Sequence, residues 1–164
     1  MNRKAAFAPV VDAYTRLLIL GSLPGDASLR AAQYYGHPRN AFWRLIGGVI
    51  GRDLAALPYE ERLAALKAAG VGLWDVIASA ERPGSLDAAI RRPEAADLRG
   101  LVAGLPDLRA VAFNGGTAAR LGRAVLASLP ERVALIDLPS SSPAHARPFA
   151  EKAAAWAVLG GALS

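Results

Sequence analysis

Four short apolar runs, separated by longer segments with helical spacing, dominate the hydrophobic pattern of the chain. Each run is rich in leucine or β-branched residues; the runs are residues 16–20, 71–77, 110–113 and 133–137. The second run follows Gly70, and the other three are stopped by glycine, asparagine or proline. Polar residues do not alternate within them, as they do in strands with one exposed face. Such runs are typical of strands that are covered on both faces, as in a parallel sheet.

Between the runs, apolar residues recur at helical spacing in residues 40–50, 58–69, 97–104, 117–129 and 148–159. Four strands alternating with helices predict an α/β protein, specifically a three-layer α/β/α sandwich around a four-stranded parallel sheet with right-handed crossovers. Residues 81–95 are the most loop-like interior stretch. We expect residues 1–164 to form one domain.

Composition narrows the chemistry. The chain has no cysteine, which excludes disulfides, thiolate catalysis and the usual structural zinc sites, and its two histidines argue against a histidine-based metal centre. The apolar runs are well under the ~18 residues that a membrane-spanning helix needs, and no basic-then-apolar leader precedes them. We therefore expect a cytoplasmic protein that works without metal or cofactor. The sequence carries no signal for oligomerisation, and we expect a monomer.

The charge balance points to a partner only weakly. Lysine and arginine number 19 against 14 acidic residues, a net charge of +5 that suits a polyanion. The surplus is a modest field for a surface of this size, and 16 of the basic residues are arginine, as a GC-rich genome would produce. Charge alone leaves nucleic-acid binding undecided.

Ligands of a parallel sheet bind where its strands end, which directs attention to residues 21–40, 75–85, 114–117 and 138–147. In the first of these segments the dinucleotide spacing G-x-G-x-x-G is absent, and we expect no helix directly after its glycines. A Walker lysine and a Gly-x-Ser-x-Gly elbow are also absent. What remains is a loop with two tyrosines, a histidine, an arginine and an asparagine. Aromatic rings stack on bases, and a carboxamide reads a base edge or holds a water.

Five segments together resemble the uracil-DNA glycosylase superfamily, with the closest match to its hypoxanthine (deoxyinosine) branch. They are GSLPG at 21–25, YYGHPRNAFW at 34–43, GLWDV at 72–76, GSLDAAI at 84–90 and LPSSSPA at 138–144. The resemblance runs from about residue 15 to 158. It implies the same α/β/α sandwich and a monofunctional glycosylase that starts base excision repair: it flips a deaminated base, hypoxanthine first of all, out of double-stranded DNA and hydrolyses the N-glycosidic bond, with no cofactor.

The resemblance also implies roles for individual residues. Asn40 would be the catalytic residue that positions the attacking water, although it could simply cap the helix that follows. His37 would donate to the leaving purine or fix its own loop. Phe42 and Trp43 are expected to be core residues.

The base pocket would be formed by Gly21, Ser22, Pro24, Gly25, Tyr34, Tyr35 and Asp75. Of the two tyrosines, we expect at least one to pack in the core and favour Tyr35 as the one that stacks on the base. Asp75 could accept the ring N–H of hypoxanthine or merely end its strand.

Contacts to DNA are expected from Arg39, Ser140, Ser141, Ser142, His145 and Arg147. Residues 114–117 lie between a strand and a helix, which suits either a phosphate site or an ordinary turn.

Two departures from the uracil-specific enzymes bear on base choice. Those enzymes carry an acidic or asparagine residue in the first loop, where this chain has Ser22 and Leu23, and a histidine at the position of Leu138. Asp26, next to the first loop, could be a base or a turn residue. The departures argue against one alternative, a mismatch-specific uracil or thymine glycosylase. The segment that contains Asn40 argues against the other, a catalytically silent DNA-binding relative, so hypoxanthine is favoured.

Overall fold

The computed structural model describes residues 3–164. The strands, in chain order, are β1 Arg3–Ala5, β2 Leu17–Gly21, β3 Val71–Asp75, β4 Ile77–Glu81, β5 Arg91–Ala95, β6 Ala110–Asn114 and β7 Ala134–Leu138. The α-helices are α1 Asp26–Ala31, α2 Phe42–Ile50, α3 Tyr59–Ala68, α4 Leu98–Ala103, α5 Gly116–Leu126, α6 Phe149–Trp156 and α7 Gly160–Leu163. Short 3-10 turns cover Leu54–Ala56, Asp87–Ala89 and Ala157–Leu159.

The predicted α/β sandwich with a four-stranded parallel sheet is confirmed. The order of this sheet is β3-β2-β6-β7, and every neighbouring pair runs parallel. Successive residues of β2 point to opposite faces, so Leu17 packs into one core with Phe42 while Leu18 packs into the other with Phe113. Both faces are therefore covered by helices, which explains why β2 is an uninterrupted apolar run.

The prediction of one strand over residues 71–77 is wrong at its end. The strand stops at Asp75, and Ile77 begins β4 in a second, antiparallel sheet of order β1-β4-β5. The apolar run continues across the change of sheet because Val76 and Ile77 are both buried in the same core cluster. Hydrophobicity alone does not show where a buried chain changes its hydrogen-bonding partner.

The small sheet also corrects the expectation that residues 81–95 form a loop. Strand β5 occupies residues 91–95 and pairs with β4. Its sequence RRPEA leaves every side chain exposed, so it carries no apolar alternation, and its proline marks an edge strand.

A third correction concerns the segment after the first glycines. Helix α1 starts at Asp26, directly after Gly25, although no helix was expected there. It has only six residues, and Ala32 and Tyr35 lie in the left-handed region with φ of 53° and 52°. This tight reversal returns the chain to the sheet at residues 34–40.

None of the helices in residues 3–164 has the length and apolar character needed to cross a bilayer.

Close packing between α5 and β6 yields a stability prediction. A Cβ added at Gly122 would fall inside the contact distance of the Phe113 ring, whereas one added at Gly48 of α2 would meet nothing within 4 Å. We expect Gly122→Ala to lower the free energy of unfolding by about 1–3 kcal/mol through overpacking. Gly48→Ala, the matched control, should be neutral or raise it by about 0.5–1 kcal/mol. Urea denaturation measures both, and equal effects would contradict the packing argument.

Candidate active site

A cavity of about 450 Å³ lies across the carboxyl ends of the four parallel strands. Asp75 ends β3, Gly21 ends β2, Asn114 ends β6, and the serines after β7 complete the row. The cavity brings together most of the residues singled out in the sequence, namely Gly21, Ser22, Pro24, Gly25, Tyr34, Tyr35, His37, Asn40, Asp75, Ser140, Ser141, Ser142 and His145. Four strands that end at one edge of a sheet thus gather side chains from distant parts of the chain.

Two predicted DNA contacts, Arg39 and Arg147, do not line this cavity. Both are exposed. Arg147 lines a shallower neighbouring depression that shares Ser140 and His145 with the main cavity. These arginines therefore lie on the surface around the site rather than inside it.

Asn40 lies in the loop that precedes α2 and lines the cavity. Its Oδ1 accepts a hydrogen bond from the backbone N–H of Phe42 at 3.0 Å, and its own N–H donates to the His37 carbonyl at 3.0 Å. The capping role considered from the sequence is thus present, even though Ala41 is the formal N-cap of α2. Capping fixes the plane of the carboxamide at the cavity wall, and Oδ1 retains a second lone pair for a water. The two roles are compatible.

His37 is held in a defined tautomer by its own loop. Its Nδ1 accepts a hydrogen bond from the backbone N–H of Arg39 at 3.0 Å. In a neutral imidazole the proton then resides on Nε2, which makes this nitrogen a donor. The ring is partly exposed and lines the cavity. His37 therefore both fixes the loop and offers an N–H.

The floor of the cavity contains two buried polar atoms that lack a partner, Asp75 Oδ2 and the Tyr35 hydroxyl. Both side chains approach Gly21 closely: a Cβ there would be 2.7 Å from Asp75 Oδ1 and 3.1 Å from the Tyr35 oxygen. Leaving such atoms unpaired costs free energy. A polar ligand in the cavity would satisfy them.

Burial changes the pKa values of the two side chains on the cavity floor. Asp75 is only 5% exposed, and burial raises its pKa to about 7, with the negative charge of Asp87 adding to the effect and Arg82 opposing it. The pKa of the Tyr35 phenol is raised as well, mainly by burial and then by Asp75. Tyr35 therefore stays neutral, and Asp75 exists as a mixture of acid and carboxylate near pH 7.

The two tyrosines have different environments. Tyr34 is the core residue: its ring meets Phe7 edge-on at 5.3 Å, and its hydroxyl donates to the Ala8 carbonyl at 2.7 Å. Tyr35 stacks flat on Phe42, with ring centroids 3.9 Å apart and planes 13° apart. Only the other face of Tyr35 is left for a ligand. Phe42 and Trp43 are core residues, as expected.

The serine loop after β7 is fixed by a buried side chain at the end of β6. Asn114 Nδ2 donates to Ser141 Oγ at 2.9 Å, and the Ser141 N–H donates to Asn114 Oδ1 at 2.9 Å. The Ser141 carbonyl in turn accepts from the N–H of Ala41 at 3.0 Å, at the start of α2. With Asn114 engaged and the Gly115 N–H donating to the Leu138 carbonyl, residues 114–117 are better described as a structural turn than as a phosphate site.

Sequence reasoning missed the wall of the cavity formed by residues 85–87, in the loop of residues 82–87. Arg82 is buried and donates to the carbonyls of Gly84, Leu23 and Pro24, which fastens this loop to the first glycine-containing loop. Asp87 lines the cavity and accepts a hydrogen bond from Ser22 Oγ at 2.6 Å. The GSLDAAI motif contains Asp87, but an isolated acid in a loop has no spacing that would mark it as a site residue.

Asp26, the other acid near the first loop, has a structural role. Its carboxylate pairs with Lys4 Nζ at 2.6 Å, and this contact is the main reason that its pKa is lowered. No group of three or more potential metal ligands occurs within residues 3–164.

Comparison with known proteins agrees with this architecture. A family model described as the uracil DNA glycosylase superfamily matches residues 8–160. Proteins named hypoxanthine DNA glycosylase from Methanosarcina barkeri and Methanosarcina acetivorans are 43% and 42% identical over 94% and 93% of this chain, and over 96% and 95% of their own length.

Among solved structures, a solution NMR structure from Methanosarcina acetivorans, described as a uracil DNA glycosylase, superimposes with a TM-score of 0.87. The two sequences are 40% identical, and the superposition covers 99% of each chain. The chain belongs to the uracil DNA glycosylase superfamily.

Proposed function

We propose that this protein is a monofunctional DNA glycosylase that removes hypoxanthine from DNA and so initiates base excision repair. Two relatives that are 42–43% identical over nearly the whole chain bear the name hypoxanthine DNA glycosylase. The observation that carries the proposal is the unpartnered pair on the cavity floor, Asp75 Oδ2 and the Tyr35 hydroxyl. A flipped base is read by hydrogen bonds to its edge and by stacking, and this floor supplies both.

The edge of hypoxanthine fits a neutral carboxyl. Hypoxanthine presents a carbonyl acceptor, O6, beside a donor, N1–H. A protonated Asp75 has one O–H donor and one acceptor on the same carboxyl group, so it can pair with both atoms at once. The face of Tyr35 opposite Phe42 would stack on the purine ring. A cavity of about 450 Å³ has the size of an ordinary small-molecule site.

Bond cleavage would then rest on positioned groups around the sugar. The carboxamide of Asn40, fixed by its contact with Phe42, holds the attacking water. The Nε2–H of His37 donates towards the departing base, where negative charge develops. The hydroxyls of Ser140, Ser141 and Ser142 and the side chains of Arg39, His145 and Arg147 bind the DNA backbone on both sides of the flipped nucleotide.

Uracil is the second candidate, and a specific observation favours it. Its O4 and N3–H form the same acceptor-donor edge as hypoxanthine, so the neutral Asp75 carboxyl pairs with either. Uracil is smaller and would cover less of Tyr35. We therefore propose hypoxanthine as the preferred base.

The discriminating experiment presents the purified protein with duplexes that each carry one hypoxanthine, uracil, mismatched thymine or xanthine, followed by alkaline cleavage at the abasic site. Fastest release from the hypoxanthine duplex is expected. Release of uracil alone would overturn the base assignment. Duplex binding without release of any base would overturn the enzyme assignment and leave a DNA-binding protein.

We further propose that residues 1–164 act as one domain and as a monomer, in the cytoplasm and on nucleoid DNA. The support is that every side chain assigned above lies on or beside a cavity formed by a single chain.

Salt dependence tests the surface contacts. We expect the affinity for uncleaved duplex to fall as salt rises, and Arg147→Ala to reduce the slope of log K against log [salt] by about one. Arg132 is the matched control, because it is exposed at the amino end of β7, opposite the cavity. Fluorescence anisotropy at several salt concentrations gives the slopes. Equal slopes for wild type and Arg147→Ala would remove Arg147 from the interface.

A further inference from the structure

Asp87 is a carboxylate that the reaction described so far does not use. It starts the 3-10 turn Asp87–Ala89 and lines the cavity with an exposed side chain. Ser22 Oγ donates to its Oδ1 at 2.6 Å, so the carboxylate lies beside the first loop, GSLPG, which has no acid of its own. The fold brings to this loop the functional group that the loop lacks.

The loop that carries Asp87 is held rigidly. Besides the Ser22 contact, the Ser85 hydroxyl accepts from the N–H of Asp26 at 2.9 Å, and the Gly84 carbonyl accepts from Lys4 Nζ at 2.6 Å. Arg82 fastens the base of the loop to the carbonyl groups of the first loop. A group placed so firmly has a fixed direction towards the cavity, which is a requirement for catalysis by positioned charge.

A carboxylate in a DNA-binding cavity has an electrostatic cost and an electrostatic use. A cavity that receives a strand of DNA is surrounded by phosphates, and a negative side chain inside it opposes their approach. The same negative charge favours a cation. When the glycosidic bond of a deoxynucleotide breaks, positive charge develops on the sugar as an oxocarbenium ion, and a carboxylate stabilises that charge.

The charge of Asp87 also reaches the base pocket. It raises the pKa of Asp75 and contributes to raising that of Tyr35. Both residues form the floor on which the base is read. Asp87, Asp75 and Tyr35 line the same cavity, so the carboxylate borders the space that would receive the flipped nucleotide.

We propose that Asp87 is a catalytic residue: its carboxylate stabilises the oxocarbenium ion and accepts a proton from the water that Asn40 holds. This proposal rests on the proposed function. In the step, the bond between the sugar C1′ and N9 of hypoxanthine breaks, and its electron pair leaves with the base. The water oxygen bonds to C1′, and one water proton passes to Asp87. The base takes up a proton from solvent, and Asp87 releases its own to solvent.

The test is Asp87→Asn, assayed under single-turnover conditions on the hypoxanthine duplex from pH 5.5 to 9. Asparagine keeps the size and can still accept from Ser22, but it has no charge. We expect the maximal rate of cleavage to fall about hundredfold, and the alkaline decline to begin at lower pH because the pKa of Asp75 loses the contribution of Asp87. The affinity for uncleaved duplex should be unchanged or slightly higher. Asp107→Asn is the matched control, because Asp107 is exposed before β6, at the end of the sheet away from the cavity.

Two other results would overturn the proposal. If Asp87→Asn only moves the pH profile and keeps the wild-type maximum, the charge acts through Asp75 and not on the sugar. If cleavage and affinity fall together, Asp87 contributes to the shape of the cavity and to DNA binding, and not to the chemical step. Ser22→Ala is the second variant: it removes the hydroxyl that aims Asp87, and we expect about a tenfold loss of cleavage with unchanged affinity. Wild-type protein that releases no base would instead refute the proposed function itself.

Discussion

Asn40→Ala is expected to lower single-turnover cleavage of the hypoxanthine duplex about a thousandfold while the affinity for that duplex stays within about threefold. The reason is that the carboxamide holds the attacking water but does not hold the DNA. Alanine also removes the cap on the Phe42 N–H, which costs about 1 kcal/mol of stability. Activity and unfolding must therefore be measured on the same variant.

Asn40→Ser separates these two effects. A serine hydroxyl can still accept from the Phe42 N–H, so the unfolding temperature should stay close to that of wild type. It has no carboxamide, so cleavage should remain as low as in Asn40→Ala. Wild-type turnover in either variant would show that Asn40 only caps α2.

The second large effect is expected at Asp75, as a dependence of hypoxanthine release on pH. Only the protonated carboxyl both donates to O6 and accepts from N1–H. Burial first, and the charge of Asp87 second, raise the pKa of Asp75 to about 7, against the opposing charge of Arg82. The competent acid therefore predominates below pH 7 and is lost above it. We expect kcat/KM to fall about tenfold per pH unit above 7, or about a hundredfold by pH 9.

Asp75→Asn is the matched variant for this prediction. Its amide offers an N–H donor beside a carbonyl acceptor, in the geometry of the neutral acid, and it does not titrate. Cleavage by the variant should equal that of wild type at pH 6 and stay level to pH 9. An alkaline decline that persists in Asp75→Asn would assign the titration to another group.

The same carboxyl links stability to pH with a definite sign. In the unfolded chain Asp75 loses its proton near pH 4, whereas in the folded protein it keeps the proton up to about pH 7. Between these values the folded state binds more protons, so the free energy of unfolding decreases as pH rises, by up to about 4 kcal/mol. Asp75→Asn should be the more stable protein at pH 8, as urea denaturation would measure.

The sequence predicts the parallel sheet well because β2, β3 and β6 are buried on both faces, and continuous burial leaves an apolar run that is easily read. It predicts the small sheet poorly for the opposite reason. Strand β5 buries no side chain, and the passage from β3 to β4 occurs inside a single apolar run. Pairing of backbone groups defines these strands, and pairing has no signature in side-chain type.

The site divides in the same way. Asn40, Tyr35 and Asp75 stand out because each belongs to a motif or ends an apolar strand. Asp87 also lies in a motif, but neither it nor Arg82 stands out as a site residue, because both gain their place only when the loop of residues 82–87 folds against the first loop. Spacing along a chain reveals groups on one loop, whereas a contact between two loops separated by about sixty residues needs the folded structure.

The short strand β1 has a consequence for how the cavity holds together. Lys4 Nζ lies 2.6 Å from both the Asp26 carboxylate and the Gly84 carbonyl, so one side chain joins the loops on either side. Strand β1 has only three residues, and elements with so little burial open at a much lower free energy than the core. When β1 detaches, the two loops lose this tie, but the parallel sheet and the direct contacts of Arg82 and Asp87 with the first loop stay in place. The loss of β1 therefore removes one of several fastenings and leaves the cavity wall standing.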